Sequence, residues 1–459
     1  RLSAFITKCK EEEPVAAQSR LKVVCALLLV VGLLAGCVGS GAPQNPTAEP
    51  STQAWDAKPI ELRVMCASCL EPGTDKAQET YQKAFMELHP NVKIVLEGVP
   101  SEQFHQKLVT LGTGGQLPDL IEDQNAFVSA NAEAGFTLPL NDFADQSFFD
   151  EFLPGSIDML SYKGKVYALQ IGMVNTGIIY RADLLKEAGL EEPPMDWTWE
   201  DFARYAVALT KGDQYGLGVS GKASRGNFTT LLPYIYANGG TIVEQTPDGK
   251  WIASVNSPEA VEALAFLGDL VHKYKVMSPS FLTNGFSENV RDMALGRLAM
   301  FETASHAFGI IAVDYPDVVQ HLRSRPFPGH VPFSRGWAAG WSVCKTGDPV
   351  KQRAAWEYVK FMTNRENQIL WNELTWWMPT RKNAYDAPKL TAPQYEGFSK
   401  AAEHIVQYPN LPVQAKIEDL VMDVVQGVFT GKTDYQAMMD DLAQKINAVL
   451  DEAELLGKK

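Results

Sequence analysis

Long hydrophobic runs, cysteine and basic residues are all scarce in this chain, and each shortage excludes a class of protein. After residue 37 no apolar run reaches the roughly 20 residues that a membrane-spanning helix needs. Acidic residues outnumber basic ones by 55 to 41, which gives a net charge of −14. This charge argues against binding nucleic acid or adhering directly to anionic lipid, because both need clustered Lys and Arg. The apolar content of 46% is ordinary for a packed protein of two or three domains.

Cysteine occurs six times in 459 residues. Cys66, Cys69 and Cys344 follow residue 37, and three cysteines cannot make a disulfide framework. Residues 66–69 (CASC) have the spacing of a redox or half-zinc motif. Two further zinc ligands at fitting spacing are not visible, and residues 72–73 (PG) interrupt the helix that a redox motif needs. We expect either a local disulfide or two thiols at the end of the first strand.

Motifs of common hydrolases and nucleotide-binding sites are missing as well. After residue 37 the sequence contains neither His-Glu-x-x-His nor Gly-x-Ser-x-Gly. Residues 216–221 (GLGVSG) match Gly-x-Gly-x-x-Gly, but no opening helix follows and no ribose-binding acid is well placed. We interpret them as a Gly-rich strand with close neighbours. The sequence predicts no cofactor, no metal and no catalytic residue.

The amino-terminal part contains an apolar run that begins at residue 23 and closes at residues 34–37 (LAGC). Arg20 and Lys22 precede it, and its length is that of a signal-peptide core. Its end resembles a bacterial lipobox. The resemblance implies cleavage before Cys37, a diacylglyceryl group on the Cys37 sulfur, and export. The alternative is an ordinary signal peptide in which Cys37 is incidental.

A tether follows this leader. Residues 39–53 are rich in Gly, Ser, Thr, Pro, Asn and Ala, and such a segment buries too little apolar surface to fold. We therefore expect a signal peptide at 1–36 and a lipidated, flexible segment at 37–59. Acidic residues at 11–13 are unusual ahead of a signal core, so we expect the natural start near residue 21. The predicted location is extracytoplasmic, with the chain anchored to the cell membrane through Cys37.

Apolar periodicity predicts alternating strands and helices in the remaining chain. The first segments are strand 60–65, helix 74–88, strand 92–96, helix 104–111 and strand 117–121, an order typical of a parallel sheet with crossover helices. Further strands are predicted at 166–171 and 177–180, and further helices at 183–188, 198–209, 258–274, 350–370, 419–428 and 435–450. No internal repeat of fixed period is visible.

Several segments together resemble one family. These segments are 85–95 (FMELHPNVKIV), 115–120 (GQLPDL), 135–140 (GFTLPL), 162–169 (YKGKVYAL), 177–189 (GIIYRADLLKEAG), 193–202 (PPMDWTWEDF), 238–240 (NGG), 293–300 (MALGRLAM) and 354–361 (AAWEYVKF). The chain resembles the extracellular solute-binding proteins of ABC importers, in the family 1 branch of sugar and maltose-type binders. The order and spacing of the segments over nearly the whole mature chain carry this resemblance.

The resemblance implies an α/β architecture, the two-lobed periplasmic-binding-protein fold. Each lobe would be a sheet flanked by helices, with the ligand in a cleft between them and several hinge crossings. Lobe 1 would comprise residues 60–169 and 337–377, and lobe 2 residues 170–336 and 378–459. The expected function is capture of a carbohydrate, an oligosaccharide above all, by lobe closure and delivery to the permease subunits of an ABC transporter. The expected protein is a monomer without enzymatic activity.

Sugar hydroxyls are bound by carboxylates and amides, and sugar C–H faces by aromatic rings. Polar candidates are Glu122 and Asp123, placed directly after strand 117–121, and Gln170 and Asn175 at the first lobe crossing. Glu302, Ser305 and His306 follow the apolar run 298–301. The family often has an aromatic residue near position 306, so His306 is a departure. Ser68 and Asn238 complete the polar set.

Aromatic candidates lie at the other crossings. Trp337 and Trp341 flank three small residues, which would let a ligand approach the backbone. Trp376 and Trp377 are adjacent, and neighbours in extended chain point in opposite directions, so at most one of them lines the site. Tyr236, with Tyr234, precedes the NGG segment and is a weaker candidate.

Two other readings remain open from the sequence. The same fold could bind a glycerol phosphoester, a polyamine or a peptide. A phosphate would use convergent basic residues, for which Arg181, Arg225 and Arg335 are candidates. A secreted glycosidase is the remaining alternative, because paired carboxylates suffice for that chemistry and carboxylates are plentiful here.

Overall fold

The computed structural model of this chain describes residues 55, 58–70, 74–223, 226–337, 339–406, 408–409 and 411–457. Predictions about Cys37, the signal peptide, most of the tether and Arg225 lie outside these residues. Among the described helices, none combines the length and apolarity needed to cross a membrane.

Short and long strands alternate with helices along the chain. The strands are β1 (Ile60–Cys66), β2 (Val92–Gly98), β3 (Leu120–Gln124), β4 (Ser161–Tyr162), β5 (Lys165–Val166), β6 (Gly172–Arg181), β7 (Tyr215–Gly218), β8 (Val243–Gln245), β9 (Trp251–Ala253), β10 (Leu298–Ala304), β11 (Leu322–Arg325), β12 (Ser334–Trp337), β13 (Ala339–Val343), β14 (Met378–Pro379) and β15 (Ile405–Val406).

The α-helices are α1 (Thr74–Leu88), α2 (Ser101–Thr113), α3 (Val128–Glu133), α4 (Gln146–Phe149), α5 (Pro154–Asp158), α6 (Ala182–Glu187), α7 (Trp199–Ala208), α8 (Gly226–Ala237), α9 (Pro258–His272), α10 (Phe286–Ala294), α11 (Ala307–Asp314), α12 (Pro316–Val319), α13 (Pro349–Met362), α14 (Arg365–Thr375), α15 (Glu396–Ala401), α16 (Gln414–Phe429) and α17 (Tyr435–Glu452). Short 3₁₀ helices lie at Leu140–Asp142, Phe281–Thr283, Lys382–Ala384 and Ala402–His404.

The first sheet has the strand order β13-β3-β1-β2. Strand β1 runs parallel to both β2 and β3, while β13 runs antiparallel to β3. In β1 the side chains of Ile60, Leu62 and Val64 are buried, as expected for alternating residues that face a core. Helix α1 packs Tyr81 and Phe85 into that core. The carboxyl ends of the three parallel strands therefore meet at one edge of the sheet.

The second sheet has the order β15-β12-β6-β10-β7, and β11 and β14 also pair with β6. Strand β6 is antiparallel to four partners: β14 at residues 172–173, β12 at 174–175, β10 at 176–180 and β11 at 178–181. Three segments that connect the two sheets therefore meet at this strand. They are the chain that leads into the start of β6, the β12–β13 segment and β14.

Three large apolar clusters form the core. One surrounds the first sheet and includes Val64, Tyr358 and Trp371. The second holds residues between Ile178 and Leu450 and surrounds helices α7, α8, α9, α16 and α17. The third joins residues 159–160, near the first sheet, with Met173 and the 301–308 region of the second half. The mixed α/β architecture with two sheets flanked by helices, predicted from the sequence, is confirmed.

Some element boundaries predicted from the sequence are wrong. The third strand begins at Leu120 and contains Glu122 and Asp123, which the sequence placed in a loop after it. The sequence predicts separate strands at 166–171 and 177–180, with Asn175 between them. The structure instead has one ten-residue strand, β6, and it contains Asn175. The helix predicted over 350–370 is two helices. The first ends at Met362, and Asn364 caps the second by accepting a hydrogen bond from Asn367 N.

The glycine-rich strand has the close neighbours that its sequence predicts. A Cβ placed on Gly216 would lie 1.9 Å from the carbonyl oxygen of Ala206 in helix α7. Backbone cannot yield as a flexible side chain can, so α7 would have to move away from β7. Gly216 is required by packing, not by phosphate binding.

We expect Gly216→Ala to lower the free energy of unfolding by about 2 kcal/mol or more, because overpacking a rigid contact costs ~1–3 kcal/mol. Gly114→Ala is the matched control, since its Cβ would come no closer than 3.3 Å to the nearest atom. Urea unfolding of both variants measures the difference. Equal stability of the two variants would contradict this packing.

Candidate functional site

The carboxyl edge of the first sheet positions a carboxylate. Glu122 Oε2 accepts hydrogen bonds from Ala67 N and Ser68 N, both at 2.8 Å, in the turn after β1. Ser68 also accepts a hydrogen bond from Gln78 Nε2 at 3.1 Å. The ends of β1 and β3 are therefore fixed to each other. The structure brings Glu122 and Ser68, two residues that the sequence analysis named separately, into direct contact.

Asp123, the next residue, faces the opposite side of the sheet and is 1% exposed. Its carboxylate accepts hydrogen bonds from Asn131 Nδ2 at 2.8 Å and Ser342 Oγ at 3.2 Å. These bonds tie β3 to α3 and β13. The expectation that Asp123 presents a carboxylate to a ligand conflicts with this geometry, because both oxygens are engaged inside the protein. Burial raises its pKa to about 7.

Two sheet edges converge at residues 336–340. On β6, Asn175 pairs with Gly336, and at the end of β3, Gln124 pairs with Ala339. Asn175 and Gln124 thus pair with residues three positions apart in the chain, which brings the end of β3 close to β6. Leu169 also forms a bridge with Trp341. The first two crossings therefore run antiparallel, next to each other.

Two amide side chains at this junction use their nitrogen in hydrogen bonds within the protein, while their oxygen atoms accept none from the described residues. Asn175 donates from Nδ2 to the carbonyl of Phe398 at 2.8 Å, and Gln170 donates from Nε2 to that of Ser156 at 3.3 Å. Both side chains are buried, yet within the described ranges Asn175 Oδ1 and Gln170 Oε1 have no hydrogen-bond partner. A buried acceptor without a partner is costly, so these two oxygens point to a ligand or solvent site.

The carboxyl end of β10 reaches the same junction. Ala304 is opposite Thr176 on β6, so Ser305 follows beside Asn175. Ser305 Oγ and His306 Nδ1 are buried and have no hydrogen-bond partner in the part of the chain that the structure describes. The His306 ring stacks on Phe286 with centroids 4.8 Å apart. The imidazole of His306 thus makes a stacking contact at the position where the family often has an aromatic residue.

Glu302 lies beside Tyr234 of the second cluster, whereas His306 stacks on Phe286 at the third. Burial shifts the pKa of both side chains. It raises the pKa of Glu302 well above its ordinary value, an effect that the nearby Tyr234 hydroxyl only reduces. It lowers the pKa of His306 to about 4. At neutral pH the His306 imidazole is therefore uncharged, and burial disfavours the ionised form of Glu302. The arrangement offers neutral donors and acceptors.

The tryptophans at the crossings mostly serve the core. Trp341 is 2% exposed and packs within the first cluster, on the same face of the sheet as Val343. Trp376 stacks on Tyr395, with the Lys389 amine 3.9 Å from its ring centroid. Trp377 packs edge-on against Trp371. The last two thus enter different clusters. Trp337 lies in β12 opposite Val174.

The space beside Gly340 is taken by protein. A Cβ there would lie 2.2 Å from Leu160 Cδ1 and 2.9 Å from Ala168 Cβ. The expectation that small residues between Trp337 and Trp341 make room for a ligand is therefore wrong for Gly340. Its smallness lets the 159–168 segment pack against β13.

Two further candidates lie apart from the junction. Asn238 donates to the carbonyl of Glu259 and to the Glu262 carboxylate, so its amide holds helix α9. Tyr236 is 9% exposed and stacks on Phe333, and burial raises its pKa to about 12. The structure places both within the second half rather than with Asn175 and Ser305.

Sequence reasoning missed one aromatic pair. His105 on α2 and Phe127 before α3 stack with centroids 4.1 Å apart and planes within 8°. Both side chains are half-buried and follow the carboxyl ends of β2 and β3. The position of each residue after a strand is visible in the sequence. Their contact is not, because it depends on how β2 and β3 are placed in the sheet. Among described residues, no three His, Cys, Asp or Glu side chains are grouped to hold a metal.

Comparison with known proteins adds the family. Residues 71–369 match the family described as bacterial extracellular solute-binding protein. This match covers more than half of the chain. The chain belongs to the bacterial extracellular solute-binding protein family. The resemblance to this family that the sequence suggested is therefore confirmed, and the two sheets joined by adjacent crossings agree with it.

Individual solute-binding proteins are similar at low identity. A putative binding protein of Brucella abortus (strain 2308) is 22% identical over 377 residues, which cover 81% of this chain and 89% of the relative. The mannitol-binding protein of Pseudomonas aeruginosa is 26% identical over 298 residues, covering 62% and 67%. Maltose-bound MalE3 of T. maritima has a TM-score of 0.72 at 21% identity, covering 85% of this chain and 100% of that chain. The last likeness shows the two-lobed fold.

Asp123 should make the stability of this solute-binding protein depend on pH. The native state keeps a proton that the unfolded chain releases near pH 4, so the free energy of unfolding falls between pH about 4 and about 7. Asp123→Asn should remove up to about 4 kcal/mol of this decline. Urea unfolding at pH 5 and pH 8 measures it. Parallel profiles for the two proteins would show that burial does not protonate Asp123.

Proposed function

We propose that this protein is an extracytoplasmic receptor that captures a neutral carbohydrate by lobe closure and delivers it to an ABC importer. One lobe would comprise residues 60–169 and 337–377, and the other 170–336 and 378–459. The supporting observation is the set of uncharged polar groups at the junction, namely Asn175 Oδ1, Gln170 Oε1 and Ser305 Oγ, which have no hydrogen-bond partner within the described chain. A sugar hydroxyl can donate to either amide oxygen, and it can donate to or accept from the Ser305 hydroxyl.

The charged alternatives find less support. Arg181, a candidate for phosphate binding, is bonded to Asp183 and to the carbonyls of Met293 and Ala294. Arg335 is near Glu418, and burial lowers the pKa of its guanidinium. A polyamine would need ionised carboxylates, whereas burial raises the pKa of Glu302 and so disfavours its ionised form. A neutral polyol or sugar matches this environment better than either charged ligand.

Similar proteins support the carbohydrate class. One relative is named for mannitol and one similar structure holds maltose. These two ligands share vicinal hydroxyls and lack charge, which is the chemistry that the junction offers. They differ in size, so we propose the class and leave the chain length of the sugar to experiment.

A thermal-shift screen of the chain from residue 53 onward tests this class. The panel holds mannitol, maltose, longer maltooligosaccharides, glycerol phosphodiesters and spermidine. A ligand at a hundred times its dissociation constant adds about 2.7 kcal/mol to the free energy of unfolding, which is readily seen. We expect a response to a sugar or polyol. A response only to a charged compound would overturn the carbohydrate class, and product formed from an oligosaccharide would revive the glycosidase reading.

Substitutions of two buried serines distinguish an effect on ligand binding from an effect on stability. Ser305→Ala removes a hydroxyl that has no partner among the described residues, so stability should hold while the Kd for the sugar rises about five- to tenfold. Ser324→Ala is the matched control. The Ser324 hydroxyl donates to the Gln394 carbonyl and accepts from Gly397 N, so its loss should destabilise without changing Kd. Calorimetry and urea unfolding measure both, and an unchanged Kd for Ser305→Ala would place the ligand elsewhere.

We further propose lipid anchoring at Cys37. In a bacterial host, Cys37→Ser should abolish labelling by radioactive palmitate and move the protein from the membrane fraction to the medium or periplasm. Cys344→Ser is the control that should keep both label and location. Unlabelled wild-type protein would favour the ordinary signal peptide.

A further inference from the structure

Two cysteines enclose the amides that hold Glu122. Cys66 and Cys69 form a disulfide across the turn that follows β1. The two residues between them, Ala67 and Ser68, donate their backbone N–H groups to Glu122 Oε2. A backbone hydrogen bond also supports this turn, because Leu70 N, directly after Cys69, donates to the Ala67 carbonyl at 3.0 Å. The covalent link and the carboxylate contact thus share four residues.

We propose that the Cys66–Cys69 disulfide is a redox-dependent positioning device for Glu122 at the edge of the candidate site. When the bridge is intact, it fixes the directions of the Ala67 and Ser68 N–H groups. When it is reduced, the turn gains freedom and the two hydrogen bonds to Glu122 weaken. The consequence for ligand capture rests on the proposed function, whereas the positioning of Glu122 does not.

The small size of the loop supports positioning over global stabilisation. A bridge between residues three apart closes the shortest class of loop, and loop-closure models assign such bridges the least entropy removed from the unfolded chain. The turn is also supported independently, since Thr74 Oγ1 donates to the Ser68 carbonyl and Val99 N to the Cys66 carbonyl. The fold therefore has little need of this bridge, while the local geometry of two amides depends on it.

One side of the bridge is open to a reductant. Cys66 is fully buried, but Cys69 is half-buried and lines a surface cavity of about 420 Å³ together with Leu70, Asp75 and Glu79. A thiolate must approach a disulfide sulfur directly, and this cavity gives access to Cys69. Leu70, 54% exposed, adds an apolar contact for an approaching molecule.

The redox step is an exchange with a dithiol. One thiolate of the reductant attacks the Cys69 sulfur, the Cys66–Cys69 bond breaks, and Cys66 leaves as a thiolate that takes up a proton. The second thiol of the reductant then displaces Cys69, which becomes a thiol. Two electrons pass to the protein, and the dithiol ends as its own disulfide. An oxidising extracytoplasmic compartment would keep the bridge formed.

Amide hydrogen exchange tests the device without any ligand. In oxidised protein the Ala67 and Ser68 amides should be protected, and reduction with dithiothreitol should speed their exchange at least tenfold. Amides of the β1–β2 ladder, which begins at Ile60 opposite Val92, should keep their rates and serve as the internal reference. In a Cys66→Ala, Cys69→Ser double variant these two amides should exchange as fast as in the reduced protein, and dithiothreitol should not change their rates. Because the variant keeps Cys344, this result would exclude Cys344 as the target of the reductant.

The opposite results are equally clear. If reduction changes the Ala67 and Ser68 rates no more than those of the ladder, the bridge does not position the amides and the proposal falls. If all amides speed up together, the bridge acts on global stability, which also overturns it. Glu122→Gln provides a second check, because losing the charged acceptor should raise the same two rates in oxidised protein. Failure of the sugar screen leaves these outcomes unaffected.

Discussion

Strand β6 is the constraint on which the rest of this structure depends. Within ten residues it pairs with β14, β12, β10 and β11, so segments that are more than 200 residues apart in sequence share one strand. Close approach is needed at the start and in the middle of the strand. A Cβ on Gly172 would meet Trp371 at 2.6 Å, and one on Gly177 would meet the Arg325 carbonyl at 2.7 Å. The strand therefore fixes where the sheets meet.

This arrangement also explains why polar groups are buried at the junction. Asn175 lies in the middle of β6, between partner strands, and is 0% exposed. Its Nδ2 is used for the Phe398 carbonyl, which fixes the orientation of the amide and leaves Oδ1 available. An amide held in this way is preorganised, since it needs no reorganisation when an uncharged donor arrives. The same strand that organises the sheets thus orients one acceptor of the candidate site.

Local patterns in the sequence were sufficient for most helices and for the first strands. Thr198 and Asp201 form the capping box that their spacing predicts, and helix α1 spans 74–88 as predicted. The site was harder to predict because its partners are remote in sequence. Ser342 bonds Asp123 across 219 residues, and Asn175 bonds Phe398 across 223. Strand ends indicated Glu122 and Ser305, but only the fold shows that Asp123 faces inward and that Asn238 serves helix α9.

Net charge and site charge have separate consequences. The chain carries −14 overall, yet the buried polar groups of the junction that lack a partner among the described residues, Asn175 Oδ1, Gln170 Oε1 and Ser305 Oγ, are uncharged. A neutral ligand gains nothing from the long-range field of the protein, so its recognition depends on short hydrogen bonds formed where water is excluded. A charged ligand would lose its hydration there without a partner of opposite charge. If the protein binds a neutral sugar as proposed, the orientation of Asn175 and the position of Ser305 would select among neutral molecules by the placement of their hydroxyls.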